Sequence, residues 1–198
     1  MKYFITITLI IWVIFFLEAC RTTRSNKSSK EVVPTQTSAT LKKVNKENNT
    51  VQHIIILNTK NVVADSVVRF AKTLIGTKYK YGSAIKEQGL DCSGFITYVF
   101  NHFQIQVPRT SKDFTNAGIP VFLDESKPGD LILFTGTDTT GWIVGHMGII
   151  TQNDKGKIQF IHSASGKSIG VIISDMSKYF ETRFVKVIRV FKEESYQE

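Results

Sequence analysis

Three side chains are of types and spacings that could do chemistry together: Cys92, His146 and His162. Cys92 follows Asp91 and opens the run Ser93-Gly-Phe-Ile-Thr-Tyr-Val-Phe100, where a loop rich in Tyr, Lys and Gly meets a segment of helical character. A thiol in the first turn of a helix faces unpaired N–H groups and the positive end of the helix dipole, which favour the thiolate and can hold an oxyanion. Alone, a single cysteine is equally well explained as a small core residue. The histidines change that balance. Thr151-Gln-Asn-Asp-Lys-Gly156 reads as a turn between two strand-like runs, and a hairpin centred on Asp154 sets His146 directly across from His162. Their Cβ atoms would then lie ~4.5–5.5 Å apart on one sheet face, an arrangement that a slip of one residue would undo. A thiolate, a base and a polar group that holds the base form the constellation for nucleophilic acyl transfer. Cys92 is the expected nucleophile, His146 the base and later the acid, and His162 the residue that fixes the His146 ring. The competing chemistry is a Cys-His-His zinc site with a bound water. A thiol at a helix start needs no metal, so neither a metal nor another cofactor is expected. His53 and His102 read as ordinary polar residues.

The elements that must position these groups divide into two textures. Val62 to Ile75 carries apolar residues at helical spacing (Val63, Val67, Phe70, Ala71, Leu74), with Asn61 as N-cap and Gly76 as stop. The segment from Cys92 to Phe103 is the second, buried helix. Pro108 and Pro120 punctuate the next loop, and Pro128-Gly129 turns the chain into short β-type runs. Strands are expected at Leu131–Phe134, His146–Thr151, Lys157–His162, Val171–Ser174 and Phe184–Phe191. Helices first and consecutive strands afterwards indicate an α+β fold, with N-terminal helices packed on an antiparallel β-sheet. By alternation Gly148, Ile150, Ile158 and Phe160 share the histidine face, the surface expected to lie under the Cys92 helix.

Composition bounds the rest. The 198 residues suffice for one domain with accessory segments, and 42% hydrophobic content excludes global disorder. Two cysteines, Cys20 and Cys92, exclude a disulfide framework and a four-cysteine zinc site. The net charge of +8 is concentrated between residues 21 and 50, where seven Lys/Arg face two Glu. Such a polar stretch suits an anionic surface or a plain solvated linker. The folding part has no basic patch interleaved with aromatics, so nucleic acid is disfavoured. Lys2, the apolar run Ile5–Leu17 and Leu17-Glu-Ala-Cys20 read as a secretory signal too short for a permanent membrane span. The last four of these residues resemble a lipobox, in which Cys20 would be lipidated, with Glu18 departing from its usual small or uncharged residue; the alternative is an uncleaved N-terminal anchor. The expected organisation is a lipoprotein signal over 1–19, a lipidated Cys20 and flexible basic tether over 20–60, the folding domain over 61–193 and a tail over 194–198.

Taken in order, Gly76-Thr-Lys-Tyr79-Lys-Tyr-Gly82, Asp91-Cys-Ser-Gly-Phe95, Val107-Pro-Arg-Thr-Ser111, Pro128-Gly-Asp-Leu131, His146-Met-Gly-Ile-Ile150 and Phe160-Ile-His-Ser-Ala-Ser165 resemble the motifs of the NlpC-type family of papain-like cell-wall cysteine peptidases. The likeness spans about residues 62–191, and the layout is similar to single-domain murein endopeptidase lipoproteins. The resemblance implies a papain-like fold, a catalytic Cys92, His146 and His162, and substrate contacts from Tyr79, Asp91 and Ser93. Asp91 would offer a carboxylate to an amine, and Tyr79 a hydroxyl, with Tyr81 a rival for its place. It also implies cutting of peptidoglycan stem peptides or cross-links at a γ-D-glutamyl–diaminopimelate or D-alanyl–diaminopimelate bond. A monomer is expected, exported and lipid-anchored at the periplasmic face of the outer membrane, with peptidoglycan peptides and the membrane as its partners. Phe114 stands where many members carry Gln, so its loop is assigned no catalytic role. The stretch Gly136–Val144, with Trp142, is long for the family and is a candidate wall of the groove. The alternatives are a catalytically silent wall-binding lipoprotein, or an amidase or acyltransferase on another substrate.

Overall fold

Amphipathic spacing produces the first helix, α1 (Ala64–Lys72), which turns Ala64, Val67, Val68 and Ala71 inward. In the computed structural model, which describes residues 54–166 and 170–196, it starts two residues later than expected. Asn61 does not cap it: the N-cap is Val63, extended and without a side-chain hydrogen bond. Asp65 in the first turn pairs with Arg69 one turn on, and Arg69 and Lys72 sit in the last turn, so the charges follow the helix dipole. The chain leaves at Gly76, whose φ of +87° lets its N–H reach Val171 O at 2.9 Å. The following loop contains an unforeseen hairpin, β1 (Ala84–Ile85) and β2 (Gly89–Leu90), directly before the buried helix α2 (Cys92–His102). The signal segment, Cys20 and the tether up to residue 53 lie outside the described residues.

One antiparallel sheet carries the rest. Its strands are β3 (Ile119–Val121), β4 (Leu131–Thr135), β5 (Val144–Asp154), β6 (Lys157–Ala164), β7 (Gly170–Asp175) and β8 (Phe184–Arg189), in the order β3-β8-β4-β5-β6-β7. A single turn of helix, α3 (Lys178–Glu181), links β7 to β8. The five expected strands are present; β3, which contains Pro120, was not expected and sits at the sheet edge, where a missing N–H is tolerated. The α+β class is therefore as the sequence indicated.

The two faces of the sheet carry different cores. Leu131, Leu133, Met147, Ile149 and Ile161 join Val67, Phe95, Ile96 and Phe100 of the helices in the larger cluster. Ile132, Phe134, Ile150, Ile158 and Phe160 lie in a second cluster, closed by Phe180 and Phe184. Ile150, Ile158 and Phe160 thus belong to the face away from α2, contrary to the expectation, because Leu131, Leu133, Met147 and Ile149 are the residues of β4 and β5 that pack with the helices. Each large side chain so buried contributes about 1.5–3 kcal/mol.

Both ends of the folded region reach beyond the expected limits. Ile55 N–H donates to Asn116 O at 2.7 Å and Thr59 is buried, so residues assigned to the tether belong to the folded domain. Tyr196 O–H donates to Asp130 at 2.6 Å, and the same fully buried carboxylate accepts from Arg189 and from Lys127 N–H, so the presumed tail is clamped to the sheet. Among the described residues no helix is long and apolar enough to cross a membrane.

Candidate active site

The Asp-Cys-Ser-Gly motif is a helix start written residue by residue. Asp91 is the N-cap of α2, and its carboxylate accepts from Gly94 N–H at 2.6 Å. Gly94 is required because a Cβ there would sit 2.0 Å from Ser83 O, the carbonyl that also accepts from Asp91 N–H. Cys92 therefore occupies the first helical position, half-buried, with Sγ 3.8 Å from Gly145 O, one residue before His146. The N–H groups of Cys92 and Ser93 favour its thiolate, as expected from a helix start. Burial and the neighbouring Asp91 charge outweigh them and push the thiol above its ordinary range. At rest Cys92 is a neutral thiol.

His146 and His162 do lie on one face, but not directly opposite. The hairpin turns on Lys155-Gly156, with Asp154 opposite Lys157. Continued unbroken, this register would send the two rings to opposite faces. A bulge between Ile150 and Gln152 shifts the pairing to Ile150–Phe160 and Ile149–Ile161, which restores the parity. His162 then falls across from Gly148 and diagonal to His146. A Cβ at Gly148 would lie 2.8 Å from Ile161 O and 3.2 Å from His162 Cβ, so glycine makes room for the ring.

The rings form a relay across three strands. His146 Nε2 is 2.9 Å from His162 Nδ1, and His162 Nε2 is 2.9 Å from Ser174 Oγ on β7. If each ring donates toward Ser174, both protons sit on Nε2 and His146 Nδ1 is left as an acceptor. Phe134, Phe160 and Phe180 surround the pair, with Phe160 and Phe180 centred 5.0 and 5.5 Å from His162. Burial, then the Arg183 charge, lowers His146 to about 4; burial, then His146, lowers His162 to about 3. Both rings are neutral at pH 7.

Cys92, His146, His162 and Ser174 line one cleft of about 680 Å³, together with Tyr79, Tyr81, Tyr179 and Arg183. That volume suits a short peptide. Tyr79 is half-buried, and burial, then Cys92, Asp91 and Tyr81, raises its hydroxyl, which stays protonated as a donor. Asp91 and Ser93 do not line the cleft. Arg109 Nη2 binds Asp91 at 2.7 Å, its Nη1 binds Ser93 Oγ at 3.0 Å, and Ser93 O–H donates to Asp91 at 3.1 Å. Burial would raise the Asp91 carboxyl, but the hydrogen bonds and charge of Arg109, with Gly94 N–H, hold it below the usual range. In this state Asp91 and Ser93 build the helix start. Of the long loop, Gly136 and Thr137 line the cleft, whereas Trp142 is 64% exposed and does not. Among the described residues no group of three or more His, Cys, Asp and Glu is gathered for a metal.

Arg109, Ser174 and Arg183 were not foreseen. Arg109 carried a signal, its place in the Pro-Arg-Thr loop; Ser174 and Arg183 come into reach only through sheet pairing and the α3 turn.

Comparison with known proteins agrees with this arrangement. Residues 76–189 match the sequence model of the NlpC/P60 family. The chain is 33% identical over 129 residues to a gamma-DL-glutamyl hydrolase of Bacillus subtilis (strain 168), covering 64% of this chain and 30% of that protein. It is 34% identical over 117 residues to the murein DD-endopeptidase MepS/murein LD-carboxypeptidase of Escherichia coli (strain K12), covering 58% and 56%. The chain thus spans roughly a third to a half of the length of these relatives. A lipoprotein-like NLP/P60 structure from Staphylococcus aureus subsp. aureus Mu50 superposes with a TM-score of 0.55 at 26% identity, covering 74% of this chain and 46% of that one. With the family match running from the loop before the capped thiol to the last strand, past both histidines, this chain belongs to the NlpC/P60 family.

Proposed function

We propose that this protein is a cysteine peptidase that hydrolyses peptidoglycan peptides, with Cys92, His146 and His162 as its catalytic residues. The observation that carries the reading is the His146–His162–Ser174 relay, which opens onto the same cleft as the thiol at the start of α2. His146 Nδ1 takes the Cys92 proton as sulfur attacks the scissile carbonyl, forming the S–C bond. The oxyanion gathers on the N–H groups at the start of α2, with the Tyr79 hydroxyl as a further donor. His146 returns the proton to the amine as the C–N bond breaks. Water then attacks the thioester, gives its proton to His146, and the acid leaves as the S–C bond breaks and the thiol is re-formed. The low basicity of His146 fits a pair that is neutral at rest and becomes charged only along the reaction path.

The favoured bond is γ-D-glutamyl–diaminopimelate, with D-alanyl–diaminopimelate as the alternative; one relative's name carries a glutamyl activity and the other's a DD-endopeptidase activity. The same reading has the chain exported as a monomer and held at the membrane through lipid on Cys20. Incubating the protein with uncross-linked tripeptide and with cross-linked dimers separates the bonds. Release of diaminopimelate from the tripeptide supports the first, and conversion of dimers to monomers the second. The Cys92→Ala variant should lose either activity completely while keeping its thermal midpoint. Full activity in that variant sinks the mechanism; turnover of neither substrate by a wild-type protein whose Cys92 reacts with iodoacetamide sinks the substrate.

A further inference from the structure

The charge of the cleft is the reverse of the one expected from its motif. Asp91, the carboxylate expected to meet an amine, is tied to Arg109 away from the cleft lining. Among the described residues, the only charged side chain that lines the cleft is Arg183. It sits in the turn between α3 and β8, where its backbone carbonyl accepts from Thr135 N–H at 2.8 Å. Its guanidinium lies 4.5 Å from the centre of the Tyr179 ring, and its Nη1 donates to Gly136 O. The position is therefore fixed from three sides: the sheet, the aromatic ring and the long loop.

The remaining valence of this group is what points to a ligand. Four arginines fall among the described residues, and three of them hold a carboxylate: Arg69 with Asp65, Arg109 with Asp91 and Arg189 with Asp130. Arg183 is half-buried and has no carboxylate partner among the described residues, and its Nε and Nη2 make no hydrogen bond there. The edge formed by Nε and Nη2 is the planar fork that matches a carboxylate bidentately. A guanidinium partly withdrawn from water gains more from such a partner than an exposed one.

We infer that Arg183 is a specificity-determining residue that binds a free carboxylate of the substrate, within one residue of the scissile bond. This inference rests on the peptidase reading above. A γ-linked D-glutamyl residue leaves its α-carboxyl group outside the peptide bond, and diaminopimelate leaves one at its second centre, so stem peptides in which these groups are not amidated offer the required anion. Binding would also act on the chemistry. The Arg183 charge is one of the two influences that depress His146, and a bound carboxylate neutralises it. The base becomes stronger only when a substrate bearing the correct anion is in place, so the effect belongs in kcat as well as in KM.

The test uses the full chain and two matched substrate pairs. In one pair the D-glutamyl α-carboxyl is free or carboxamide; in the other the second-centre carboxyl of diaminopimelate is free or carboxamide. Wild type is expected to prefer the free acid in one pair by about tenfold to a hundredfold in kcat/KM, the range of a charge-assisted hydrogen bond. The acid limb of its kcat profile should lie at higher pH with the acid than with the amide. Arg183→Gln should reduce the preference to about twofold or less, and Arg183→Lys, which keeps charge without the fork, should retain part of it. Equal turnover of acid and amide in both pairs by wild type overturns the assignment of Arg183 and leaves the peptidase reading standing. A preference that survives unchanged in a folded Arg183→Gln protein overturns it too. Failure to cleave any of the four substrates, with Cys92 still reactive to iodoacetamide, overturns the peptidase reading and this inference with it.

Discussion

In the proposed mechanism His146 can accept the Cys92 proton only at a nitrogen that carries none, so the tautomer of His146 decides whether the cleft is competent. Nothing on His146 itself sets that tautomer. His162 Nδ1, 2.9 Å from Nε2, does so only if its own proton is on Nε2, and Ser174 Oγ is the acceptor that keeps it there. His146→Ala should therefore cost about as much activity as losing the thiol, because members of such a unit fail together. His162→Asn should be milder than His162→Ala, since the amide can still make one hydrogen bond to the base. Ser174→Ala should lower kcat by roughly tenfold or less, the worth of one neutral hydrogen bond, with KM little changed. An unchanged kcat in Ser174→Ala would remove the serine from the relay; equal and total loss in both His162 variants would mean that this ring does more than orient.

At the scale of the elements, the site depends on two places where backbone approaches backbone. Gly94 lets α2 start against Ser83 O, and Gly148 lets β5 pass the His162 ring. Gly148→Ala has to move Ile161 O or His162, because its Cβ would lie 2.8 Å from that carbonyl. A loss of about 1–3 kcal/mol in unfolding free energy is expected, typical of overpacking. Activity should fall further than this stability loss explains, since folded molecules carry a displaced relay. Urea unfolding and turnover measured on the same preparation check this, with the iodoacetamide rate of Cys92 as control. A variant destabilised to this degree but fully active would show that the relay tolerates the shift. The bulge beside Thr151 matters in the same way, because without its extra residue the two rings would face opposite sides of β5 and β6.

Across the whole molecule, the buried neutral histidines tie stability to pH. Both have folded values, about 4 and about 3, below the ordinary 6.5, so between those limits the unfolded chain binds more protons than the folded one. Their contribution is complete above about pH 6.5 and is lost as pH falls toward 4, with a slope approaching ~1.4 kcal/mol per pH unit for each ring. Asp91, held below its usual range, adds a loss at still lower pH. Unfolding free energy measured from pH 7.5 to 4.5 should thus stay level down to about pH 6.5 and fall below it. A His146→Gln, His162→Gln double variant should show a flatter profile over the same interval. A profile as steep as that of wild type in the double variant would assign the acid sensitivity to other groups.

What the sequence determined by itself is local. The α+β class follows from a 3.6-residue period in Val62–Ile75 and from short β-type runs of strand-like length after Lys127, and α1 and all five expected strands formed where those patterns lie. Asp91-Cys92-Ser93-Gly94 could be read as a helix start because a cap and its first turn are neighbours in the chain. The helix limits were less legible: Asn61 has capping chemistry, but the chain turns into α1 only after Val63. The tertiary structure decided everything that depends on parity or on distant partners. A single bulged residue shifted the hairpin pairing and put the histidines diagonal instead of opposite, and no propensity of Thr151 announces it. The face of the sheet that the helices cover is not legible in the sequence, because alternation gives two faces without saying which one the helices take. Arg109 closing on Asp91, Ser174 completing the relay and Arg183 standing alone in the cleft all join residues from separate elements. Such contacts are set by the order in which strands pair and by the space that packing leaves, which a linear pattern does not encode.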